Sequence, residues 1–406
     1  MFRRRTVLIG AVVLVIFTMI STFVGTSLLF LFMGNAPFYG IFAPYTKNAL
    51  ESQKVKEVQN IIKKYYIEEV DDEKLIEGAA AGIAAAVEDP YTVYMDEKSF
   101  EDFMIQSEGS YGGIGVVVSV DPEDNMITVV APFEDTPGEK AGILPGDKII
   151  KVNGKDVDGD HLEEAVSMMK GPKDTEVTIT IMRDKLTEPK EITIKRDIIV
   201  LQTVKHKVVG GNIGYIRITM FDEKTSEDFE KALNDLINQK VTGLIIDVRD
   251  NPGGLLKEVV KIADRILPEG IIVYTEDRNK NRETEYSDAN EVNLPIAVLI
   301  NGGSASASEI LSGAIKDYGK GTLIGTKTFG KGLVQNVFPL ADGKTAVKVT
   351  ISKYYTPNGI SIQGVGIEPD ITVELPEELQ MSVAQIKEED DVQLQKAIEV
   401  IKQKAQ

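Results

Sequence analysis

Three serines at alternate positions, Ser304, Ser306 and Ser308, lie between a run of β-type residues (295–300) and an apolar helical pattern that begins at Ile310. A hydroxyl at such a junction meets the free N–H groups and the positive end of the helix dipole, which favour negative charge. The turn therefore suits a serine nucleophile and its oxyanion. It also suits serines that merely cap the helix, and spacing alone does not choose among the three.

A serine nucleophile needs a general base, which is usually histidine. The two histidines, His161 and His206, lie outside the serine-bearing motifs, and the absence of cysteine excludes thiol chemistry. Lys331 stands between two glycines ahead of an apolar run. Burial can keep a lysine neutral because desolvation disfavours the ammonium form, so Lys331 is the candidate base.

A third member of the site would orient the lysine amine. Gln335 lies four residues beyond Lys331, a spacing that puts both side chains on one face of a strand or a helix. A neutral amide can hold the amine without adding negative charge. The rival is Asp317, which falls roughly 16 Å along the helix from Ser306, and we expect it to serve structure.

These residues together resemble the C-terminal processing peptidases, or tail-specific proteases, of the serine–lysine type. The family motif S-A-S-E matches residues 306–309, and F-G-K-G-x-V-Q matches residues 329–335. The resemblance covers essentially everything after residue 50. It implies Ser306 as nucleophile, Lys331 as base and Gln335 as its orienting partner, with no metal or cofactor.

A second turn, Asp-Asn-Pro-Gly-Gly at 250–254, follows a buried strand pattern at 244–249. Its glycines permit close approach of the backbone to a ligand, although an ordinary turn has the same composition. The resemblance makes this turn the second donor to the oxyanion, with Gly253 preferred to Gly254. The first donor would be the N–H of Ala307, next to the nucleophile.

From Gly211 onward the pattern alternates between strand and helix, which predicts an α/β core with parallel strand pairing. The resemblance implies a multi-domain α/β protein with a crotonase/ClpP-like core. The predicted divisions are a cytoplasmic stub and transmembrane anchor (1–34), an N-terminal helical region (35–105), a PDZ domain (106–197), the serine peptidase core (198–376) and a C-terminal helical segment (377–406).

A glycine-rich stretch, Gly112, Gly113, Ile114 and Gly115, precedes a strand pattern. Consecutive free N–H groups form a nest for a carboxylate, and an exposed strand edge beside it can pair with an extended peptide. With residues 137–154, this stretch resembles a PDZ domain that captures protein C-termini; a hairpin module without ligand is the alternative. Relatives commonly carry Arg-Gly where Lys170-Gly171 stands, and the resemblance implies that this arginine couples peptide binding to activity. Lys170 keeps the charge but lacks the bidentate fork. It is therefore a candidate peptide-binding residue whose coupling role does not simply carry over.

The amino terminus places three arginines before an apolar tract, residues 6–33, and no charge follows until Lys47. Such a tract is long enough to span a bilayer. We expect a single-pass membrane anchor with a cytoplasmic N-terminus and an extracytoplasmic catalytic body, because arginines stay on the cytoplasmic side. A cleaved signal peptide is the alternative, but the sequence at 35–37 is a poor cleavage site.

Acidic residues outnumber basic ones by 63 to 45, a net charge of −18 that argues against nucleic acid as a partner. The expected partners are protein or peptide substrates with exposed C-termini and, by resemblance, a second copy in a homodimer. The family often has His-Ser where Tyr91-Thr92 follows Asp-Pro. Two alternative functions stay open: a tethered PDZ scaffold without catalysis, and a serine–lysine amidase acting on cell-wall peptides.

Overall fold

The structure is a computed structural model that describes residues 16–22, 53–183, 188–376, 379, 383 and 386–405. The chain divides into two compact units, residues 1–83 and 84–406. In the first unit, residues 16–22 and 53–65 are helical. No helix in the described ranges is long and apolar enough to cross a bilayer. Except for residues 16–22, the predicted span at 6–33 lies outside those ranges.

The strands alternate with helices in the second half of the chain, as predicted. The helices are α1 (Asp72–Ala85), α2 (Glu97–Glu108), α3 (Pro137–Lys140), α4 (Leu162–Met169), α5 (Thr225–Asn238), α6 (Leu256–Ile266), α7 (Ala307–Asp317) and α8 (Val392–Lys404). The strands are β1 (Val93–Met95), β2 (Ser110–Gly113), β3 (Val116–Val120), β4 (Ile127–Pro132), β5 (Lys148–Val152), β6 (Lys155–Asp156), β7 (Glu176–Met182), β8 (Lys190–Lys195), β9 (Asp197–Val200), β10 (Val204–Val209), β11 (Ile213–Ile218), β12 (Leu244–Asp247), β13 (Gly270–Asp277), β14 (Arg282–Ser287), β15 (Ile296–Ile300), β16 (Gly321–Gly325), β17 (Leu333–Pro339), β18 (Ala346–Tyr355) and β19 (Ile371–Thr372).

The segment predicted to be wholly helical up to residue 105 contains a strand. Strand β1 lies between α1 and α2 and pairs antiparallel with β18. Its three residues are too short a run to give a periodic signal, and only the pairing with a distant strand makes them β. Helix α2 begins at Asp96, whose carboxylate accepts from the Ser99 N–H, and ends at Gly109 with φ of 65°.

The module that follows α2 is a small antiparallel β-structure. Strands β3, β4, β5, β7 and β8 are neighbours in one sheet, with β6 beside β5, and β2 pairs with β9. Alternate residues of β7 (Val177, Ile179 and Ile181) are buried, as a sheet with one covered face requires. Helix α4 packs on this core through Ala165 and Met169.

The core domain is built on a six-stranded sheet in the order β10-β11-β12-β15-β16-β19, parallel except for β10. Residues of α5, α6 and α7 share one buried cluster with one face of the sheet, and residues of α8 cover the other face. Strands β12 and β15 are buried at every residue, which explains why all of them except Asp247 are apolar. Because β12 and β15 are parallel neighbours, the turns that follow them meet at one edge.

A buried ion-pair cluster joins α8 to this sheet. Arg249 is only 1% exposed and donates to Asp247 and to Asp391, with a further hydrogen bond of 2.8 Å to Gln393. Asp391 also caps α8 by accepting from the Leu394 N–H. The C-terminal helix is thus fastened to the end of β12, just before the glycine turn at 250–254.

Candidate active site

The turns after β12 and β15 border a cleft of about 430 Å³. Five of the residues proposed from the sequence line it: Ser306, Ala307, Gly253, Lys331 and Gln335. Most of the other lining residues are apolar. They are Phe103, Met220, Phe221, Pro252, Leu255, Leu256, Ile310, Leu333, Val334 and Val337. The structure therefore assembles the predicted set in a single, largely apolar recess.

The three serines of the turn have different environments. Ser304 and Ser308 are fully buried, and their hydroxyls donate to the carbonyls of Val248 and Asn251. Ser306 lines the cleft, with φ of 53° and ψ of −113°, a backbone conformation that is strained for a residue other than glycine. Such strain is often found at functional sites. Of the three serines, Ser306 is the one that faces the cleft.

Glu309 ties the serine turn to the lysine loop. Its side chain is fully buried and accepts four hydrogen bonds, from the N–H groups of Ser306, Gly330 and Lys331 and from the Thr328 hydroxyl, at 2.6 to 2.9 Å. A carboxylate is the side chain that can accept this many N–H and O–H donors at once. Glu309 thereby fixes the backbone on both sides of the cleft.

Lys331 is half-buried, and its amine lies 4.8 Å from the centre of the Tyr91 ring. Burial lowers the pKa of Lys331, and the nearby positive charge of Lys348 lowers it further. The carboxylates of Glu309 and Asp89 act in the opposite direction without restoring the usual pKa. The neutral amine, which is the form that can accept a proton, is therefore more accessible at Lys331 than at a lysine in water.

Tyr354 lies between the serine turn and the lysine loop. Its hydroxyl is within hydrogen-bond distance of two carbonyls, that of Ser306 at 3.0 Å and that of Lys331, which share its single proton. Burial raises the pKa of Tyr354, and the Glu309 carboxylate adds to this effect. The hydroxyl therefore keeps its proton and remains a donor to these two carbonyls.

The predicted third member is in the cleft but is not joined to the lysine. Gln335 donates to the Thr350 hydroxyl at 3.4 Å, and among the described contacts no hydrogen bond links it, or Ser306, to the Lys331 amine. Catalytic hydrogen bonds are often long before substrate binds. The rival Asp317 accepts from the Asn358 N–H at the far end of α7, which is a structural contact.

The glycine turn lies directly against the serine turn. A side chain at Gly253, whose φ is 105°, would come within 2.7 Å of Ser306 Cβ and 3.0 Å of Ala307 N. The Gly253 N–H donates to Asn251 Oδ1 at 2.9 Å. The N–H groups of Ala307 and Gly254, by contrast, have no acceptor in the described part of the chain. These two are available to an oxyanion as the backbone stands.

The β-module has a small groove of about 50 Å³ between β3 and α4. Ile114, Gly115 and Lys170 line it, together with apolar side chains such as Val166. The predicted Gly112 and Gly113 do not line the groove. They belong to β2, and the Gly112 carbonyl accepts a hydrogen bond from the Gly171 N–H. The Lys170 amine lies 3.2 Å from Asp102 in α2, the helix that also supplies Phe103 to the cleft.

Four residues near the amine and the hydroxyl had no role assigned from the sequence: Tyr91, Glu309, Lys348 and Tyr354. Glu309 could have been suspected, because it is the last residue of the S-A-S-E match. Tyr91 and Tyr354 each lie far along the chain from Lys331, so only the fold brings them together. Within the ranges that the structure describes, no group of three or more His, Asp or Glu residues is arranged to hold a metal ion.

Three family models match successive parts of the chain. Residues 43–99 match the N-terminal domain of the activating protease CtpB, residues 128–183 match a PDZ domain, and residues 212–373 match peptidase family S41. The last match contains the whole cleft apart from Phe103, Gln106 and Ser107 of α2.

Whole-chain relatives agree with these matches. The chain is 45% identical over 323 residues to the carboxy-terminal-processing protease of Bartonella bacilliformis, an alignment that covers 78% of this chain and 73% of the relative. It is 39% identical over 340 residues to the carboxy-terminal processing protease CtpB of Bacillus subtilis, with 82% and 70% covered. A Bacteroides fragilis protein assigned to the S41 proteases has a similar fold, with a TM-score of 0.51 at 16% identity over 85% of this chain and 96% of that one.

The fold and these relatives define a serine-type peptidase that carries a PDZ domain. The chain belongs to peptidase family S41, among homologues named carboxy-terminal processing proteases.

Proposed function

We propose that the chain is an endopeptidase in which Ser306 is the nucleophile and neutral Lys331 is the general base. One observation carries this proposal: a half-buried lysine with a lowered pKa shares a largely apolar cleft with a strained serine. Gln335 lies on the same wall and would orient the amine once substrate displaces it from Thr350.

The reaction would proceed through an acyl-enzyme. Lys331 accepts the proton of the Ser306 hydroxyl as its oxygen attacks the scissile carbonyl, and the N–H of Ala307 stabilises the oxyanion. A glycine N–H of the 250–254 turn is the second donor: Gly253 if it leaves Asn251, or Gly254 as it stands. The intermediate collapses as the C–N bond breaks and Lys331 returns the proton to the leaving amine. Water then hydrolyses the ester by the same route.

The PDZ domain would deliver the substrate. Its groove between β3 and α4 offers backbone N–H groups near Ile114 and Gly115 and a cationic Lys170 at its end, features that suit a peptide's terminal carboxylate. The relatives are named for processing carboxy termini. The substrates of this chain would therefore be proteins with accessible C-terminal tails.

We also propose that the apolar tract at 6–33 anchors the chain in the cell membrane, with the catalytic body outside the cytoplasm. The support is the sequence: a long uncharged tract preceded by arginines. A homodimer is proposed on the match of residues 43–99 to the N-terminal domain of CtpB, the region that contributes to dimers by family resemblance.

The decisive experiment compares digestion of casein by the wild type, Ser306→Ala and Lys331→Ala. We expect the wild type to cleave casein and neither variant to do so. Lys353→Ala is the matched control, because this exposed lysine of β18 does not line the cleft. Cleavage by Ser306→Ala at the wild-type rate would refute the nucleophile assignment. A wild type that binds C-terminal peptides without turnover would instead favour a PDZ scaffold.

A further inference from the structure

A second lysine, Lys348, lines the catalytic cleft with Lys331. It lies in the middle of β18, where its backbone is paired on one side with Val93 of β1 and on the other with Val337 of β17. A residue held between two strands cannot carry its side chain far from the cleft. In the described part of the chain, no carboxylate lies within 4 Å of the Lys348 amine, and none lines the cleft.

The charges around Lys331 come from several elements. Glu309 of α7 and Asp89 of the turn before β1 are negative, and both favour a protonated amine. Tyr91 and Tyr354 contribute neutral rings and hydroxyls. Lys348 of β18 is the cation that acts on Lys331 in the opposite direction. Without the charge of Lys348, burial alone would lower the pKa of Lys331 against the two carboxylates that raise it.

We propose that Lys348 is an electrostatic positioning residue of the peptidase: its ammonium charge keeps the Lys331 amine neutral and so sets the lowest pH at which the enzyme works. The inference rests on the proposed role of Lys331 as base. Lys348 itself exchanges no proton with substrate. It acts through repulsion, since protonating Lys331 would place two like charges in one water-poor recess.

This role makes a signed prediction about pH. A base works in its neutral form, so activity rises as pH passes through the pKa of Lys331. Removing the charge of Lys348 raises that pKa and moves the acidic limb of the kcat/KM profile to higher pH. Removing the charge of Asp89 moves the same limb to lower pH, because Asp89 favours the ammonium form.

The experiment measures kcat and KM for a fluorescein-labelled casein across pH with the full-length chain. The variants are Lys348→Met, Lys348→Gln, Lys348→Arg, Asp89→Asn and the double variant Asp89→Asn/Lys348→Met, with Lys353→Met as a control on the same strand. We expect Lys348→Met and Lys348→Gln to move the acidic limb of the kcat/KM profile to higher pH. Lys348→Arg and Lys353→Met should leave that limb in place, and the double variant should lie near the wild type. Urea unfolding of each variant identifies any that fail to fold. If Lys348→Met does not fold, Lys348→Gln provides the test in its place.

A limb that stays in place in both Lys348→Met and Lys348→Gln overturns the inference. So does a rise in KM with an unchanged limb, which would assign Lys348 to binding acidic substrate groups. Lys331→Met separates the two hypotheses, because activity in that variant would sink the proposed base itself, whereas an inactive Lys331→Met with an unshifted Lys348→Met would sink only the role of Lys348.

Discussion

At the scale of single residues, the cleft depends on groups that do no chemistry themselves. Glu309 accepts hydrogen bonds from both the serine turn and the lysine loop, and the single hydroxyl proton of Tyr354 is shared between the carbonyls of Ser306 and Lys331. Together these contacts hold the backbones of the two segments in place. The negative charge of Glu309 also acts to raise the pKa of the Lys331 amine, against the lowering by burial and Lys348. Its structural benefit therefore has an electrostatic cost that burial and Lys348 offset.

Glu309→Gln tests whether the Glu309 carboxylate holds the serine turn and the lysine loop in place. Glutamine offers one acceptor oxygen where four donors point, so at least one buried donor loses its partner. We expect a loss of about 1 to 3 kcal/mol in the free energy of unfolding and at least a tenfold loss of kcat. Urea unfolding and casein digestion measure both. Glu368→Gln, an exposed carboxylate paired with Lys327, is the control and should change neither. Unchanged stability in Glu309→Gln would contradict the assigned role.

Much of this site was accessible from sequence, and the reasons are local. Ser306, Lys331, Ala307 and Gly253 belong to short contiguous motifs, so their presence in one cleft was predictable once the motifs were recognised. The contacts of Gln335 and Gly253 were not predictable, because Thr350 and Asn251 decide them through side-chain hydrogen bonds.

At the scale of elements, two strand-to-helix turns meet because β12 and β15 are parallel neighbours. The turn after β12 presses Gly253 against Ser306, and the turn after β15 leads into α7. The alternation of strand and helix predicted the parallel pairing, whereas the joint role of the two turns was implied by the family resemblance. The alternation did not reveal β1, whose three residues become a strand only through pairing with β18.

Gly253→Ala should damage the site through this contact. The added methyl would lie 2.7 Å from Ser306 Cβ and 2.8 Å from the Ala305 carbonyl, at a φ of 105° that alanine rarely adopts. We expect a cost of about 1 to 3 kcal/mol and at least a tenfold loss of kcat/KM. Gly302→Ala is the matched control, because a methyl there meets nothing within 4 Å. Equal activity of the two variants would contradict the packing argument.

The buried ion-pair cluster that fastens α8 to β12 gives a second prediction at this scale. Arg249→Leu removes the cation that pairs with both buried carboxylates, Asp247 and Asp391, and leaves Asp247 with the longer, 3.5 Å contact to Arg217. We expect a loss of about 3 to 5 kcal/mol in the free energy of unfolding at neutral pH. Urea unfolding measures it. Arg265→Leu, which breaks a partly exposed pair with Glu230, should cost at most about 1 kcal/mol. Similar losses in the two variants would contradict a special role for the buried cluster.

The pH dependence of that loss has a definite sign. Burial acts to raise the pKa of Asp247, but attraction and hydrogen bonding from Arg249 outweigh it and hold the pKa below its usual value. A lowered folded-state pKa stabilises the protein above the unfolded value of about 4. This stabilisation is lost as pH falls further, so the difference between wild type and Arg249→Leu should shrink on acidification.

At the scale of the whole molecule, helix α2 contacts both the PDZ domain and the peptidase core. Asp102 of α2 holds Lys170 of the groove, and Phe103 lines the catalytic cleft. The domain order along the chain was predicted from motifs. Sequence spacing gave no sign that one helix contacts both the groove and the cleft.

Capture of a carboxylate predicts a binding preference. With Ser306→Ala to prevent turnover, a fluorescent peptide with a free C-terminus should bind at least tenfold more tightly than its amide, measured by anisotropy. Lys170→Gln should weaken binding of the free acid and leave the amide unchanged. Lys173→Gln is the control, because that lysine is exposed and pairs with Asp197 outside the groove. Equal affinity for acid and amide would exclude carboxylate recognition.

The most direct test of the central claim is the rate at which a fluorophosphonate modifies Ser306, followed by mass spectrometry as pH is raised. The account predicts labelling at Ser306 alone, a rate that rises as Lys331 loses its proton, and almost no labelling in Lys331→Met at any pH. Labelling of Ser304 or Ser308, or an equal rate in Lys331→Met, would contradict it.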